Sequence, residues 1–193
     1  MSKTILSTLE ALRKSASTGI YYAKNDYDRI RYTEILSMTE LLYENLLNIK
    51  ISEIDPIDKQ GYITPKVGVN GFIENAEGKL LLEQRSDDKC WGIPGGWAEV
   101  GLSAEENVIK EVLEETGFLV EVDALIGIVS RKPSKHYPYT SYHLLYKCRI
   151  ISGKLEKSIE SENVGWKEIG EIDNWHVDHK EWVEFYMERT QNG

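Results

Sequence analysis

Cysteine is scarce in this chain of 193 residues: there are two, Cys90 and Cys148, far apart and in no Cys-x-x-Cys arrangement. That excludes a disulfide scaffold and leaves two unrelated free thiols as the expectation. Long apolar runs are missing too. Met1 to Lys14 interleaves Lys3, Glu10, Arg13 and Lys14 with scattered Leu and Ile, unlike a signal peptide. Phe118 to Ser130 is broken by Glu121 and Asp123 and is too short to span a bilayer. A cytoplasmic protein without a membrane partner is therefore expected. Positive charge is the third shortage, 23 Lys+Arg against 32 Asp+Glu, a net of −9. This argues against broad, sequence-blind binding to nucleic acid or anionic lipid, which needs basic surface. It does not exclude phosphate chemistry mediated by a divalent cation. No internal repeat or low-complexity tract is present, and 41% hydrophobic with 28% charged residues is ordinary globular composition.

The charge divides the chain. Residues 1–60 hold 8 basic and 9 acidic side chains, whereas residues 61–193 hold 15 and 23. The first region reads as a helical hairpin. Ile5, Leu6, Leu9 and Leu12 recur at helical spacing, as do Ile35, Met38, Leu42, Leu46 and Ile49, with Ser17-Thr18-Gly19 as the break between two helices. Ser52 to Gly61, with Asp55-Pro56, reads as a linker. A region this small is expected to dock on the rest of the chain or on a second copy.

The second region, 61–193, alternates strands and helices. Val67–Ile73 and Leu80–Gln84 flank the turn residues Asn75 to Gly78 and predict a hairpin. Val120–Ser130 and Tyr142–Ile151 read as further strands, and His179–Arg189 as a closing helix. His176 and His179, beside Trp175, read as surface or packing residues rather than as a zinc site.

Ser103 to Gly117 predicts a helix, capped by Ser103 with Glu106 at the capping-box position and stopped at Gly117. On a helical wheel Val108, Ile109, Val112 and Leu113 form a core face, while Glu111, Glu114 and Glu115 share another face with Asn107 beside them. Like charges at i, i+3 and i+4 repel, and they lie near a helix end whose dipole disfavours anions. A solvated acidic face is one reading of this pattern. A bound divalent cation is the other, because Mg²⁺ takes oxygen ligands.

Gly96, then Lys110-Glu111-Val112-Leu113-Glu114-Glu115-Thr116-Gly117-Phe118, preceded by Trp91-Gly92-Ile93-Pro94-Gly95, resembles the Nudix box G-x(5)-E-x(7)-R-E-U-x-E-E-x-G-U. Two positions depart from it: Leu102 stands for the first glutamate and Lys110 for the arginine, a pair that in the family steadies the loop on the helix. The helical front, Tyr62-Ile63-Thr64-Pro65-Lys66-Val67 and the loop Gly96 to Ser103 resemble a bacterial subgroup. Its members carry an amino-terminal region named for hydrolases of X-linked nucleoside diphosphates, and the likeness extends to CDP-choline and ADP-ribose pyrophosphatases of Bacillus-type bacteria.

The resemblance implies an α+β fold, a Nudix α/β/α sandwich with a mixed sheet over 61–193, preceded by a helical extension over 1–60 for docking or dimerisation. It implies hydrolysis of a nucleoside diphosphate linked to another group, giving NMP and a phosphorylated fragment, with Mg²⁺ as cofactor and Mn²⁺ as a substitute. Gly96, Glu111, Glu114 and Glu115 are its implied metal ligands. Glu114, Glu115, and the late-loop residues Glu160 and Glu162 are the candidates for general base. Arg85 and the basic, aromatic segment 131–139 supply candidate substrate contacts, with Arg131 and Lys132 for phosphate and Tyr137 and Tyr139 for stacking. The competing readings are an RNA-processing Nudix enzyme, acting on 5′ ends or as a nuclease, and a non-catalytic Nudix-fold regulator. The net charge counts against a long RNA grip. If the metal reading holds, Glu115→Gln lowers turnover about 10²-fold or more with little change in thermal midpoint. Steady-state assay of that variant checks it, and full activity contradicts it.

Overall fold

The computed structural model describes residues 3–54 and 62–191. The chain divides into two compact units, Met1–Lys66 with Ser130–Ser141, and Val67–Val129 with Tyr142–Gly193.

In the first unit α1 (Lys3–Tyr22) and α2 (Asp26–Leu47) form the hairpin, followed by the short α3 (Ile51–Ile54). Leu6 and Leu9 pack with Tyr43, Leu47 and Ile51, so the two long helices run antiparallel. The expected break at Ser17-Thr18-Gly19 is corrected. The helix continues through those residues and stops before Asn25, whose side chain caps α2 by accepting from the Asp28 N–H at 2.9 Å. Gly19 instead allows close helix contact, since a Cβ there would come within 2.4 Å of the Tyr32 ring. The apolar stripe of α2 is also placed differently from the core face that its periodicity suggests. Thr39, Tyr43 and Leu47 are buried, while Ile35, Met38, Leu42 and Leu46 remain exposed. Residues 130–141 belong to this unit through the Tyr43 hydroxyl donating to Pro138 O at 3.3 Å and through Thr140, whose N–H and hydroxyl donate to Glu10. The linker expected at 52–61 falls mostly on residues 55–61, outside the described residues.

The second unit holds two sheets. One has the order β4 (Gly95–Trp97), β1 (Lys66–Ile73), β6 (Ser141–Gly153), β5 (Phe118–Arg131). The other has the order β3 (Trp91–Gly92), β2 (Leu80–Arg85), β7 (Ser161–Lys167). Gly68 lies against His143 and Gly71 against Cys148, so β1 and β6 ascend together, whereas β1 with β4 and β2 with both neighbours are antiparallel. The sheet is thus mixed and the fold α+β. The predicted hairpin of β1 and β2 is corrected. Both strands exist, but only an isolated Glu74–Leu80 bridge joins them, and they part into different sheets.

Each side chain of β1 is buried from Val69 to Ile73, because the strand is covered on both faces. α4 (Ala104–Thr116) covers one face with Val108 and Val112 against Val69, Ile73 and Tyr146. α5 (His179–Gln191) covers the other with Trp182, Val183 and Tyr186 against Phe72, Leu80, Leu82 and Leu145. Tyr186 stacks on Phe72 with ring centroids 4.3 Å apart. Cys148 is buried in the first cluster, and both cysteines are free. Among the described residues no helix is long and apolar enough to cross a membrane.

Candidate active site

α4 begins as its sequence dictates. The Ser103 side chain accepts from the Glu106 N–H at 3.1 Å, and the Glu106 carboxylate accepts from the Ser103 N–H at 2.7 Å. It ends at Gly117, whose φ of 76° closes the last turn with its N–H on Leu113 O. The burial of the faces differs from the wheel reading in one respect: Leu113 is exposed and Glu115 is buried. The reason is angular, since Glu115 falls about 20° from Val108 on a helix of 3.6 residues per turn. The acid is therefore drawn toward the sheet along with the valines.

The loop before α4 meets these carboxylates through its backbone. Gly95 donates its N–H to Glu115 Oε2 at 2.7 Å. Its φ of 150° and the Val69 carbonyl, only 2.1 Å from where a Cβ would stand, require glycine. At Gly96 a Cβ would lie 2.6 Å from the Glu111 carboxylate, so the absent side chain lets the acid sit against the main chain. Glu114 points elsewhere, exposed and paired with Lys110 at 2.9 Å.

The same lysine reaches Glu99 in the loop at 3.1 Å. The Glu99 N–H donates to Asn107 Oδ1 at 2.7 Å, and Asn107 Nδ2 donates to Ser103 O at 3.0 Å. Asn107 is 1% exposed, so loop and helix are joined through a buried amide and a surface ion pair.

Facing Glu115 is Glu83 on β2, buried and accepting from the Ser161 hydroxyl at 2.7 Å. Burial first, and then the charge of Glu83, push the Glu115 carboxyl well above its ordinary range, with the Gly95 N–H pulling the other way. Burial likewise raises Glu83 and Glu111. A cleft of about 230 Å³ is lined by Glu83, Arg85, Ser86, Asp87, Glu115 and Glu160. Arg85 forms a two-pronged bond to Asp87, with its Nε and an Nη at 3.0 and 2.8 Å from the two oxygens, and holds that carboxyl below its usual range.

The remaining sequence candidates distribute as follows. Glu160 lines the cleft, just before β7. Only Glu160 keeps the expected loop position, because pairing with β2 makes a strand from Ser161 onward. Glu162 lies on that strand and is paired with Lys89. In the other unit, Arg131 is buried with its guanidinium 4.6 Å over the Tyr137 ring, Tyr139 is buried with Lys66 Nζ 4.1 Å over it, and Lys132 is exposed. None of the residues lining the cleft comes from 131–139.

Glu83 was not among the sequence candidates. A single carboxylate after three consecutive leucines in a buried strand was the available signal. Among the described residues there is no group of three or more His, Cys, Asp or Glu poised as a metal cage. The oxygens that meet at the loop are instead the buried Glu115 carboxylate, the half-buried Glu111 carboxylate and the main chain at Gly96. Oxygen donors that destabilise one another in the absence of a cation fit a hard divalent ion.

Comparison with known proteins gives the family and the fold. Residues 64–186 match the family model described as NUDIX domain, and residues 3–56 match the one described as UDP-X-like, N-terminal oligomerisation domain. The chain is 31% identical over 165 residues to YjhB of Bacillus subtilis, covering 83% of this chain and 79% of that protein. It is 30% identical over 138 residues to the ADP-ribose pyrophosphatase of Methanocaldococcus jannaschii, covering 68% and 78%. In fold it resembles a UDP-X diphosphatase crystal structure at a TM-score of 0.61 and 24% identity, over 100% of this chain and 97% of that one.

Burial adds a pH dependence to the expectation that Glu115→Gln leaves the thermal midpoint nearly unchanged. A carboxyl raised in the folded state costs nothing while both states are protonated. It destabilises the fold as pH rises past the unfolded value near 4.5. In chelator, the midpoint of Glu115→Gln relative to the parent should therefore climb as pH rises from 4.5. Differential scanning calorimetry checks this, and a pH-independent difference contradicts it.

Proposed function

The chain belongs to the NUDIX family and is a hydrolase of pyrophosphate bonds, and on that premise we propose that it cleaves the diphosphate linkage of a small nucleotide conjugate of the CDP-choline or ADP-ribose type, with Mg²⁺ or Mn²⁺, to NMP and a phosphorylated fragment. The observation that carries this reading is the buried Glu115 carboxylate, set on the Gly95 N–H beside Glu111 and Glu83 in a cleft that also holds Arg85. Glu111, Glu115 and the Gly96 carbonyl are the residues to hold the cation. Glu114 joins them only by giving up Lys110. A divalent ion held by these residues would supply positive charge for the diphosphate oxygens and would lower the pKa of a water.

The rest falls to the chain's own side chains. At about 230 Å³ the cleft is smaller than the pockets that enclose a whole drug-sized ligand, so it suits the diphosphate and leaves the two end groups outside. Arg85 reaches phosphate by exchanging Asp87 for it, keeping its two-pronged donor geometry. Glu160, on the cleft wall, is the better placed general base, because Glu162 is committed to Lys89. Of the 131–139 segment, Arg131 and Tyr139 are buried within their own unit, which counts against their expected substrate contacts, and Lys132 is exposed.

The oligomerisation family matched by residues 3–56 and the exposed stripe of Ile35, Met38, Leu42 and Leu46 support a homodimer through the helical front. Two measurements test the proposal. Product analysis with Mg²⁺ across CDP-choline, ADP-ribose, nucleotide sugars and a short RNA should yield NMP from one or more of the small conjugates. Activity confined to RNA contradicts it. Light scattering should show a dimer that the Met38→Lys, Leu42→Lys double variant converts to monomer, and a monomeric parent removes the dimer.

A further inference from the structure

The loop Ile93-Pro94-Gly95-Gly96 leads into the backbone that meets Glu111 and Glu115, and its first residue is held through both its N–H and its carbonyl. The Ile93 N–H donates to His179 Nδ1 at 3.0 Å, and the Ile93 carbonyl accepts from Asn70 Nδ2 at 3.2 Å. Asn70 Oδ1 lies 3.2 Å from His143 Nδ1. One residue on, the Pro94 carbonyl accepts from the Gly71 N–H at 2.9 Å. Trp182 packs against both imidazoles, with ring centroids 4.4 Å from His143 and 4.5 Å from His179. All are buried: His143 and His179 are 6% exposed, Asn70 3% and Trp182 4%. The neighbouring strands leave room for the rings, since a Cβ at Gly68 would lie 2.6 Å from His143 and one at Gly92 3.1 Å from His179.

The bond directions fix the chemistry. Nδ1 of His179 accepts, which assigns its neutral form a proton on Nε2. Asn70 uses its amide N–H on Ile93, so its oxygen is the acceptor and His143 carries the proton on Nδ1. A shift of the Ile93 peptide would leave buried donors and acceptors unmatched on β1, the loop and α5 together. Apolar packing alone has no such directional requirement.

We propose that His179, acting with Asn70, is a positioning residue for the metal loop. An acceptor on α5 sets the Ile93 peptide and, through the rigid Pro94, the Gly95 N–H that meets Glu115 and the Gly96 main chain that meets Glu111. His179 thereby controls cation affinity and turnover without touching cation or substrate. This inference rests on the assignment of Gly96, Glu111 and Glu115 as the metal site.

The test compares His179→Phe, which keeps a ring against Trp182 but loses the acceptor, with His179→Asn, whose Oδ1 can replace Nδ1. Mn²⁺ affinity is read from the free-ion electron paramagnetic resonance signal without substrate, alongside kcat, KM and the thermal midpoint. His179→Phe should weaken Mn²⁺ binding and lower kcat by about 10-fold each, with KM within about 2-fold, and His179→Asn should restore both to within about 3-fold. If His179→Phe does not fold, Asn70→Leu, which removes the grip on the Ile93 carbonyl, should show the same pattern. Wild-type Mn²⁺ affinity and kcat in a folded His179→Phe or Asn70→Leu protein overturn the inference alone. So do equal losses in His179→Phe and His179→Asn that track the midpoint. A parent protein that binds no Mn²⁺ and hydrolyses no conjugate overturns the site assignment, and this inference with it.

Discussion

A carboxylate buried away from water has to be answered by some other group, and in this chain that constraint falls on Glu115. It is 7% exposed on a helix face shared with Val108 and Val112, and Glu83 stands opposite. The single Gly95 N–H answers it only in part. Much of the surrounding structure follows from that arrangement. Glycine is needed at 95 for the donor to arrive and at 96 for Glu111 to lie against the chain. Two packed helices hold the sheet from opposite faces so that the loop between β3 and β4 has a fixed seat. A cation bound there would remove the penalty of desolvated, mutually repelling oxygens, which is the basis of the proposed metal site.

Leu102 and Lys110 mark where this version of the box differs, and the structure shows what replaces the lost pair. Leu102 is 40% exposed and leaves no unmatched charge behind. Lys110 finds an acid in the loop, Glu99, three residues before Leu102, and also takes Glu114. Exposed ion pairs of this kind contribute little. The steadier link is Asn107, whose buried amide holds the Glu99 peptide to the start of α4. The loop is thus braced by hydrogen bonds from an amide rather than by a buried charge pair, which avoids the cost of desolvating two ions.

How much of this was legible in sequence depends on how local the cause was. The ends of α4 were readable because Ser103, Glu106 and Gly117 write them in side-chain chemistry, whereas the wheel placed Leu113 in the core and left out Glu115, which is buried. The antiparallel hairpin of α1 and α2 was legible as two helices but not in its break, where Asn25 capping prevails over Gly19. The face of α2 was misleading for a physical reason: its apolar stripe is outward in the single chain, so periodicity found a surface rather than the core. The parting of β1 from β2, and the strand over Ser161–Lys167, depend on pairing between residues some 80 apart in sequence. Glu83 and His179 were hidden for the same cause. Their partners, Ser161 and Ile93, are set by the tertiary fold and by no local pattern.

The central claim is that the cluster of Glu111, Glu115 and the Gly96 main chain is a cation seat. Anomalous diffraction from crystals soaked in Mn²⁺, collected at the manganese edge, addresses it without reference to any substrate. A peak is expected between the Glu111 and Glu115 carboxylates and the Gly96 carbonyl. No peak there in a crystal that binds Mn²⁺ elsewhere would contradict it.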